Sequence, residues 1–433
     1  MNVKEYIEKN RGRFQEELFS LIRIPSISSD PSHKNDMQEC ALRWKNLLLE
    51  TGVDMAEVMP TSANPVVFAS KVIDPSAPTV LVYGHYDVMP VEPLELWNTD
   101  PFEPVIQDGR LWARGADDDK GQSFLQVKAF EIALREKLLK CNVKFLFEGG
   151  EEIGSPGLED FCLAHKDLLK SDIILVSDTS MVGADVPSIT TGLRGLAYWE
   201  IEVTGPNRDL HSGIFGGAVA NPINVLCKMI AGITDNDGHI TIPGFYDDVE
   251  EVSAREREML AAVPYSEDKY RESLDVKALF GEKGYSTLER TCLLYTSPSP
   301  RDPKTGRLVP HQEHEKISGM FIDYINRIAP DYVRVKVTPM HGGEGYVCPI
   351  DLPAYKAAEK GYEDAFEKKP LAVRRGGSIP IIAAFEKVLG VKSILMGFGL
   401  ESDATHSPNE NMPIDIMDKG IEAIVGFYRE YGR

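Results

Sequence analysis

The feature that most constrains this chain is a repeated arrangement in which a short apolar run ends in a cluster of Gly, His, Asp and Glu. The run 79–83 leads into Gly84-His85-Tyr86-Asp87, 143–147 into EGGEEIG at 148–154, 172–176 into Ser177-Asp178-Thr179, and 393–398 into a stretch carrying Thr405-His406-Ser407. A further cluster, GADDDKG at 115–121, opens a helix-period segment. Apolar runs of this length between helical stretches read as buried strands. In open α/β sheets the carboxyl ends of such strands are where ligands and reacting groups gather.

Helix periodicity is expected over Val3–Ile22, 37–49 and 121–139 and after Pro156, with strands at 65–72, 79–83, 143–147 and 172–176. Strands separated by helices imply a largely parallel sheet covered on both faces. Near Pro187 the texture changes to Gly-punctuated, alternating strands at 196–203 and 332–338 with a helix at 222–233, and from Leu352 the first style returns, ending in a helix at 415–431. A chain of 433 residues is too long for one ordinary core. The expected organisation is an α/β catalytic domain built from 1–185 and 351–433, with an inserted α+β domain at 186–350. One passage breaks the pattern: 291–306 reads TCLLYTSPSPRDPKTG, a Pro/Ser-rich stretch expected to be a loop or a foreign junction.

Charge narrows the function classes. With 47 Lys and Arg against 67 Asp and Glu the formal net charge is −20, which repels phosphate backbones and anionic lipid, so no nucleic-acid or membrane partner is expected. No run approaches the ~18 apolar residues a membrane span needs. The first 14 residues are charged throughout, and a cytoplasmic protein is expected. The six cysteines form no C-x-x-C pair and are expected to be free, buried thiols.

Two histidines and several carboxylates placed at one sheet edge make physical sense with cations, because a buried carboxylate costs several kcal/mol unless paired or metal-bound. Oxygen and imidazole donors without thiolate suit zinc, manganese or cobalt, and one carboxylate can bridge two such ions about 3.5–4 Å apart. A dinuclear pair would activate a shared water and polarise an amide carbonyl, with one further carboxylate left free to carry the proton. The adjacent Glu151-Glu152 could supply both roles.

The series GHYDVMP, RGADDDKGQ, EGGEEIGSPGL, SDT, DLHSG, RRGGSIP and ATHSPNE resembles, in wording and in order, the metallopeptidase family that includes carnosinase, bacterial dipeptidases, aminoacylase and succinyl-diaminopimelate desuccinylase. It is nearest to the dipeptidase branch, and the likeness runs over nearly the whole chain. The fold it implies is a zinc-peptidase-like α/β catalytic domain with an inserted α+β lid and dimerisation domain, and two divalent metal ions, zinc first. The resemblance implies that His85, Asp118 and Asp178 bind one metal and that Asp118, Glu152 and His406 bind the other. Spacing alone leaves Asp117, Asp118 and Asp119 open; the family pattern, which puts the bridging carboxylate two residues before the Lys, selects Asp118. It also implies Glu151 as general base, Asp87 as the residue orienting His85, and a cis Asp118–Asp119 bond.

In the inserted domain, His211 of DLHSG matches a family residue that reaches the neighbouring subunit's site and steadies the oxyanion, so a homodimer is expected. Arg307, Gly377 and Ser378 match positions that hold the substrate carboxylate, a task suited to the bidentate guanidinium of an Arg. The family's strand hairpin before RLVP, with its Thr-Val-aliphatic-Pro contact, has no counterpart in 291–306. His33, His165, His239, His311, His314 and His341 fall outside the motifs and are expected at surface or structural positions.

The function expected is hydrolysis of the amide bond of a dipeptide by a metal-bridged hydroxide with Glu151 as proton shuttle. The alternatives are an N-acyl-amino-acid deacylase or desuccinylase, and a metal-binding protein inactive because 291–306 is disrupted. A serine hydrolase is disfavoured, since no G-x-S-x-G elbow is present.

Overall fold

The computed structural model describes residues 2–249, 254–261, 263–292, 305–309, 312–376 and 379–432. The chain divides into two compact units: 1–191 with 348–373 and 384–433, and 192–347 with 374–383.

Beside the short strands Tyr346–Val347 and Leu371–Arg375, which pair with Ser188–Leu193, the main sheet contains β1 (Met55–Met59), β2 (Val66–Lys71), β3 (Thr79–His85), β4 (Asn142–Glu148), β5 (Ile173–Val176), β6 (Ser188–Leu193) and β7 (Ser393–Leu395). Their spatial order is β1-β2-β4-β3-β5-β7-β6. The expected parallel sheet is present as the centre β4-β3-β5-β7, whereas β1, β2 and β6 join antiparallel, so the sheet is mixed. The central strands are near-continuously apolar and buried, as strands covered on both faces must be. Between β3 and β4 the chain crosses through a helix, and from β4 it passes over β3 to reach β5. The carboxyl end of β3 is therefore a topological switch point, the place where a crevice opens in a doubly wound sheet.

The helices covering this sheet include α1 (Val3–Ile22), α2 (Lys34–Thr51), α3 (Lys120–Arg135), α4 (Pro353–Phe366) and α5 (Ile414–Glu430). α1 starts at Asn2, whose side chain accepts the Lys4 N–H while Glu5 reaches back to the Asn2 N–H, a capping box. α3 is buried on every face over its first turns. It can sit that close to the sheet because Gly84 lacks a Cβ, which would stand 1.9 Å from the Ser123 hydroxyl, and Gly121 lacks one that would meet the Ala116 carbonyl at 1.8 Å. The buried Lys120 ammonium donates to the carbonyls of Leu21 (3.1 Å) and Ile24 (2.7 Å), tying the start of α3 to the end of α1. A small antiparallel sheet of Val105–Gln107, Arg110–Trp112 and Asn411–Pro413 pins the C-terminal segment to the first one.

The second unit is built on a three-stranded antiparallel sheet with Gly195–Thr204 in the centre, flanked by Thr305–Leu308 and Arg334–Gly343. The helices Pro222–Ala231 and His314–Ile328 pack Val225, Met229, Phe321 and Ile325 against it, and the Trp199 and Phe321 rings stack with centroids 4.0 Å apart.

Three expectations need correction. The division falls at 191/192 and 347/348 rather than at 185/186 and 350/351, because Thr190 of β6 pairs with Leu395 of β7 and so belongs with the parallel centre. The segment 374–383 also belongs to the second unit, which a linear reading of helix and strand style did not separate. The cysteines of described side chain are free as expected, but Cys227 is exposed rather than buried. Of the anomalous passage, Thr305 and Gly306 already pair in a strand with Tyr198 and Ala197, and 293–304 lie outside the described residues.

Candidate metal centre

His85 is the last residue of β3 and lies in register with Glu148 at the end of β4. Asp178 follows β5 by two residues, and Glu151 and Glu152 sit on a short 3-10 turn just after β4. Asp118 lies in the loop before α3, and the Asp118–Asp119 peptide is cis, as expected. His406 comes from the loop after β7 with a left-handed backbone, φ 61°.

These five side chains converge. His85 Nε2 is 3.0 Å from Asp118 Oδ1 and 3.7 Å from Asp178 Oδ2. His406 Nε2 is 2.8 Å from Asp118 Oδ2 and 3.2 Å from Glu152 Oε2. Two three-residue groups result, each with its donor atoms within 4.8 Å of one another: His85, Asp118 and Asp178, and Asp118, Glu152 and His406. Asp118 is common to both, presenting one oxygen to each.

Asp87, completely buried, serves two neighbours. Its backbone carbonyl lies 3.0 Å and its Oδ1 3.3 Å from His85 Nδ1, leaving Nε2 directed at Asp118. Its two carboxylate oxygens also accept the backbone N–H groups of Glu151 and Glu152, each at 3.2 Å. The neighbours of Asp118 point elsewhere. Asp119 Oδ2 accepts the His85 N–H (3.1 Å) and the Ser123 hydroxyl (2.6 Å), while Asp117 Oδ2 accepts the Thr405 hydroxyl (3.2 Å). Beneath the site, Glu148 Oε1 accepts the hydroxyls of Tyr83 and Ser155, both at 2.7 Å.

The electrostatics describe a cluster short of positive charge. Burial and the Asp118 charge push Glu152 up to about 7, and the same two causes push Asp178 up to about 6. Burial also raises Glu151 well above the carboxylate range, with Asp178, Glu152 and Asp118 adding to it against His85. Partial desolvation disfavours the charged form of His406, whose side chain is 51% exposed, but its hydrogen bonds to Asp118 and Glu152 outweigh that and raise it to about 11. Asp118 is buried too, yet both imidazoles hold its carboxyl far below the usual range. So many buried carboxylates close together favour positive charge between them, and imidazole plus carboxylate donors without thiolate fit divalent cations. The residues present therefore fit a dinuclear divalent-metal site.

Of the other expected site residues, His211 caps the helix Ser212–Phe215 in the second unit; it is exposed, and its Nδ1 accepts the Gly213 N–H at 3.0 Å. Arg307 lies opposite Leu196 in the strand Thr305–Leu308. Gly377 and Ser378 lie outside the described residues. The histidines outside the motifs have local partners: His33 meets Asp36 at 2.6 Å, His165 stacks on Phe161, His239 stacks on Tyr246, and His314 meets Glu344 at 3.0 Å. His311 and the side chain of His341 lie outside the described set. Sequence reasoning gave no role to Arg114, Glu148, Thr405 or Glu410. Each stands inside a motif of the series, Arg114 in RGADDDKGQ, Glu148 in EGGEEIGSPGL, and Thr405 and Glu410 in ATHSPNE, which was the available signal.

A family model described as peptidase family M20/M25/M40 matches residues 81–430. The Cys-Gly metallodipeptidase of Candida albicans is 32% identical over 473 residues, spanning 99% of this chain and 96% of that protein. The human Beta-Ala-His dipeptidase is 29% identical over 469 residues, spanning 99% and 92%. Among solved structures, the dipeptidase Dug1p from Saccharomyces cerevisiae superposes with a TM-score of 0.88 at 26% identity, covering 99% of this chain and 98% of that one. Human carnosine dipeptidase 1 does so with a TM-score of 0.87 at 26% identity over the same shares.

Proposed function

The chain belongs to the M20/M25/M40 peptidases and is a metal-dependent dipeptide hydrolase, and from that premise we propose which residues carry the reaction. His85, Asp118 and Asp178 hold one divalent ion, Asp118, Glu152 and His406 hold the second, and Asp118 bridges them. The observation that carries this reading is the shared carboxylate, with one oxygen 3.0 Å from His85 and the other 2.8 Å from His406. Zinc is the ion proposed first, with manganese or cobalt able to use the same donors. When bound, the pair lowers the pKa of a shared water and polarises the scissile carbonyl.

The remaining chemistry belongs to the chain. Glu151 is the general base. It is adjacent to a ligand but belongs to neither donor group, and burial raises its proton affinity, which favours its taking up a proton. It takes a proton from the attacking water and returns it to the leaving amine. Asp87 fixes both His85 and the turn that carries Glu151. The second unit is proposed to act as the lid and dimerisation unit of a homodimer, with His211 steadying the oxyanion in the partner's site and Arg307, Gly377 and Ser378 receiving the substrate carboxylate. Support for these roles is the match of DLHSG, GRLVP and GGSIP to the family's motifs. The cytoplasm is proposed as the compartment, since the described cysteines form no disulfide and no helix among the described residues is long and apolar enough to cross a membrane.

Substrate class is tested by presenting the protein with Cys-Gly, β-Ala-His and other dipeptides beside N-acetyl- and N-succinyl-amino acids. Preferential cleavage of dipeptides with free amino termini supports the reading. Faster turnover of the acylated amino acids would replace it with a deacylase.

A further inference from the structure

Glu410 is fully buried, and one of its oxygens, Oε1, accepts two consecutive backbone N–H groups, those of Asp117 (3.0 Å) and Asp118 (3.1 Å). Its other oxygen accepts from Arg114 Nη1 at 2.7 Å. Arg114 is itself 2% exposed; its Nη2 donates to the Pro90 carbonyl at 3.0 Å, and its guanidinium lies over the Trp97 ring, 5.2 Å from the centroid. Both terminal nitrogens of the guanidinium are thus engaged, and Glu410 grips the backbone on which Asp118 is mounted.

The grip also reaches His406. Glu410 ends the loop that carries His406, and Asn411 directly after it begins a strand paired with Trp112, while the Glu410 carbonyl accepts the Ala113 N–H. At the other end of the loop, Thr405 donates its hydroxyl to Asp117 Oδ2. Both flanks of His406 are therefore fastened to Asp117 or to the backbone of Asp118. A third buried carboxylate near Asp117 and Asp118 adds repulsion to a site already rich in negative charge, and a buried ion pair is weak grounds for stability. What the arrangement does secure is the relative position of two side chains that come from segments nearly three hundred residues apart.

We propose that Glu410, clamped by Arg114, is a positioning residue that presets the Asp118–Glu152–His406 group for its metal ion. The proposal rests on the reading of those residues as ligands. The His85–Asp118–Asp178 group depends on the clamp through Asp118 alone, whereas the other group depends on it through both Asp118 and His406. Losing the clamp therefore weakens one metal equivalent more than the other.

The test is calorimetric titration of zinc into chelator-stripped protein, comparing the parent with Glu410→Gln and Thr405→Val, alongside the melting temperature of each stripped protein. Glu410→Gln keeps an acceptor for the amides but turns an NH2 toward Arg114; the expected result is a 10–100-fold loss of affinity for one equivalent, with the other changed less than about threefold. Thr405→Val, which leaves the ion pair intact, is expected to weaken the same equivalent to a smaller degree and serves as the deciding variant if Glu410→Gln does not fold. Two equivalents bound as tightly as in the parent would overturn the proposal, as would an equal loss of both in step with a lower melting temperature. A parent protein that takes up no zinc would instead refute the ligand assignment itself.

Discussion

Oδ1 of Asp87 accepts the backbone N–H of Glu151 at 3.2 Å, so the residue that orients His85 also holds the turn carrying the proposed base. Replacing Asp87 with Ala releases both at once. Turnover is expected to fall by two orders of magnitude or more, with metal affinity reduced about 10–100-fold, as for the loss of a group behind a liganding imidazole. Steady-state kinetics at saturating metal separates the two effects: a variant that regains full kcat when metal is in excess would leave Asp87 with no part in placing Glu151.

The ion cluster between α1 and α3 sets part of the acid stability. Glu131 is buried, which would raise its carboxyl, but Arg13 at 2.6 Å and Lys128 at 2.9 Å outweigh that and hold it below its ordinary value of 4.5. A depressed carboxylate contributes stability that is present above the unfolded value and lost as pH falls through the folded one. Glu131→Gln is expected to cost about 2 kcal/mol at pH 7 by removing one of the two carboxylates that meet Arg13 and the buried Lys128, the other being Glu17, and the gap to the parent should narrow as pH falls below the ordinary value of 4.5. Melting curves of metal-stripped protein across that range would show the convergence; a constant difference would exclude the electrostatic origin.

Thiol labelling distinguishes exposure from burial. Burial pushes the Cys141 and Cys162 thiols up to about 12 and raises Cys40 as well, whereas Cys227 on the helix Pro222–Ala231 is exposed. Iodoacetamide at neutral pH is expected to modify Cys227 first among the cysteines of described side chain, followed by peptide mass spectrometry. Fast modification of Cys141 or Cys162 in the native protein would contradict their placement in the core.

Much of the site was legible because its carriers are strands. The apolar runs that end at His85, before Glu151 and before Asp178 could be read from their period and from the abrupt change to polar residues, and β3, β4 and β5 do bring those ends together. The DDD triplet was not decidable from spacing. Its three carboxylates diverge, with Asp117 meeting Thr405, Asp118 lying between two imidazoles and Asp119 under the His85 backbone. Local sequence carries no record of that divergence. Glu410 stands in a motif, but its role was not readable for a related reason: its partners, Arg114, Asp117 and Asp118, are nearly three hundred residues away, and nothing in a short motif announces a long-range backbone contact. The attachment of 374–383 to the second unit is likewise set by packing rather than by periodicity.

The most direct measurement is dipeptide hydrolysis by chelator-stripped protein as zinc or manganese is returned stepwise, with Glu151→Gln run in parallel. No cleavage without metal, activity rising to its limit at two equivalents, and a Glu151→Gln protein that takes up the same two equivalents yet loses at least a hundredfold in kcat is the expected result. Cleavage that persists in the stripped protein, or a Glu151→Gln variant with undiminished turnover, would contradict the two-metal site with Glu151 as its base.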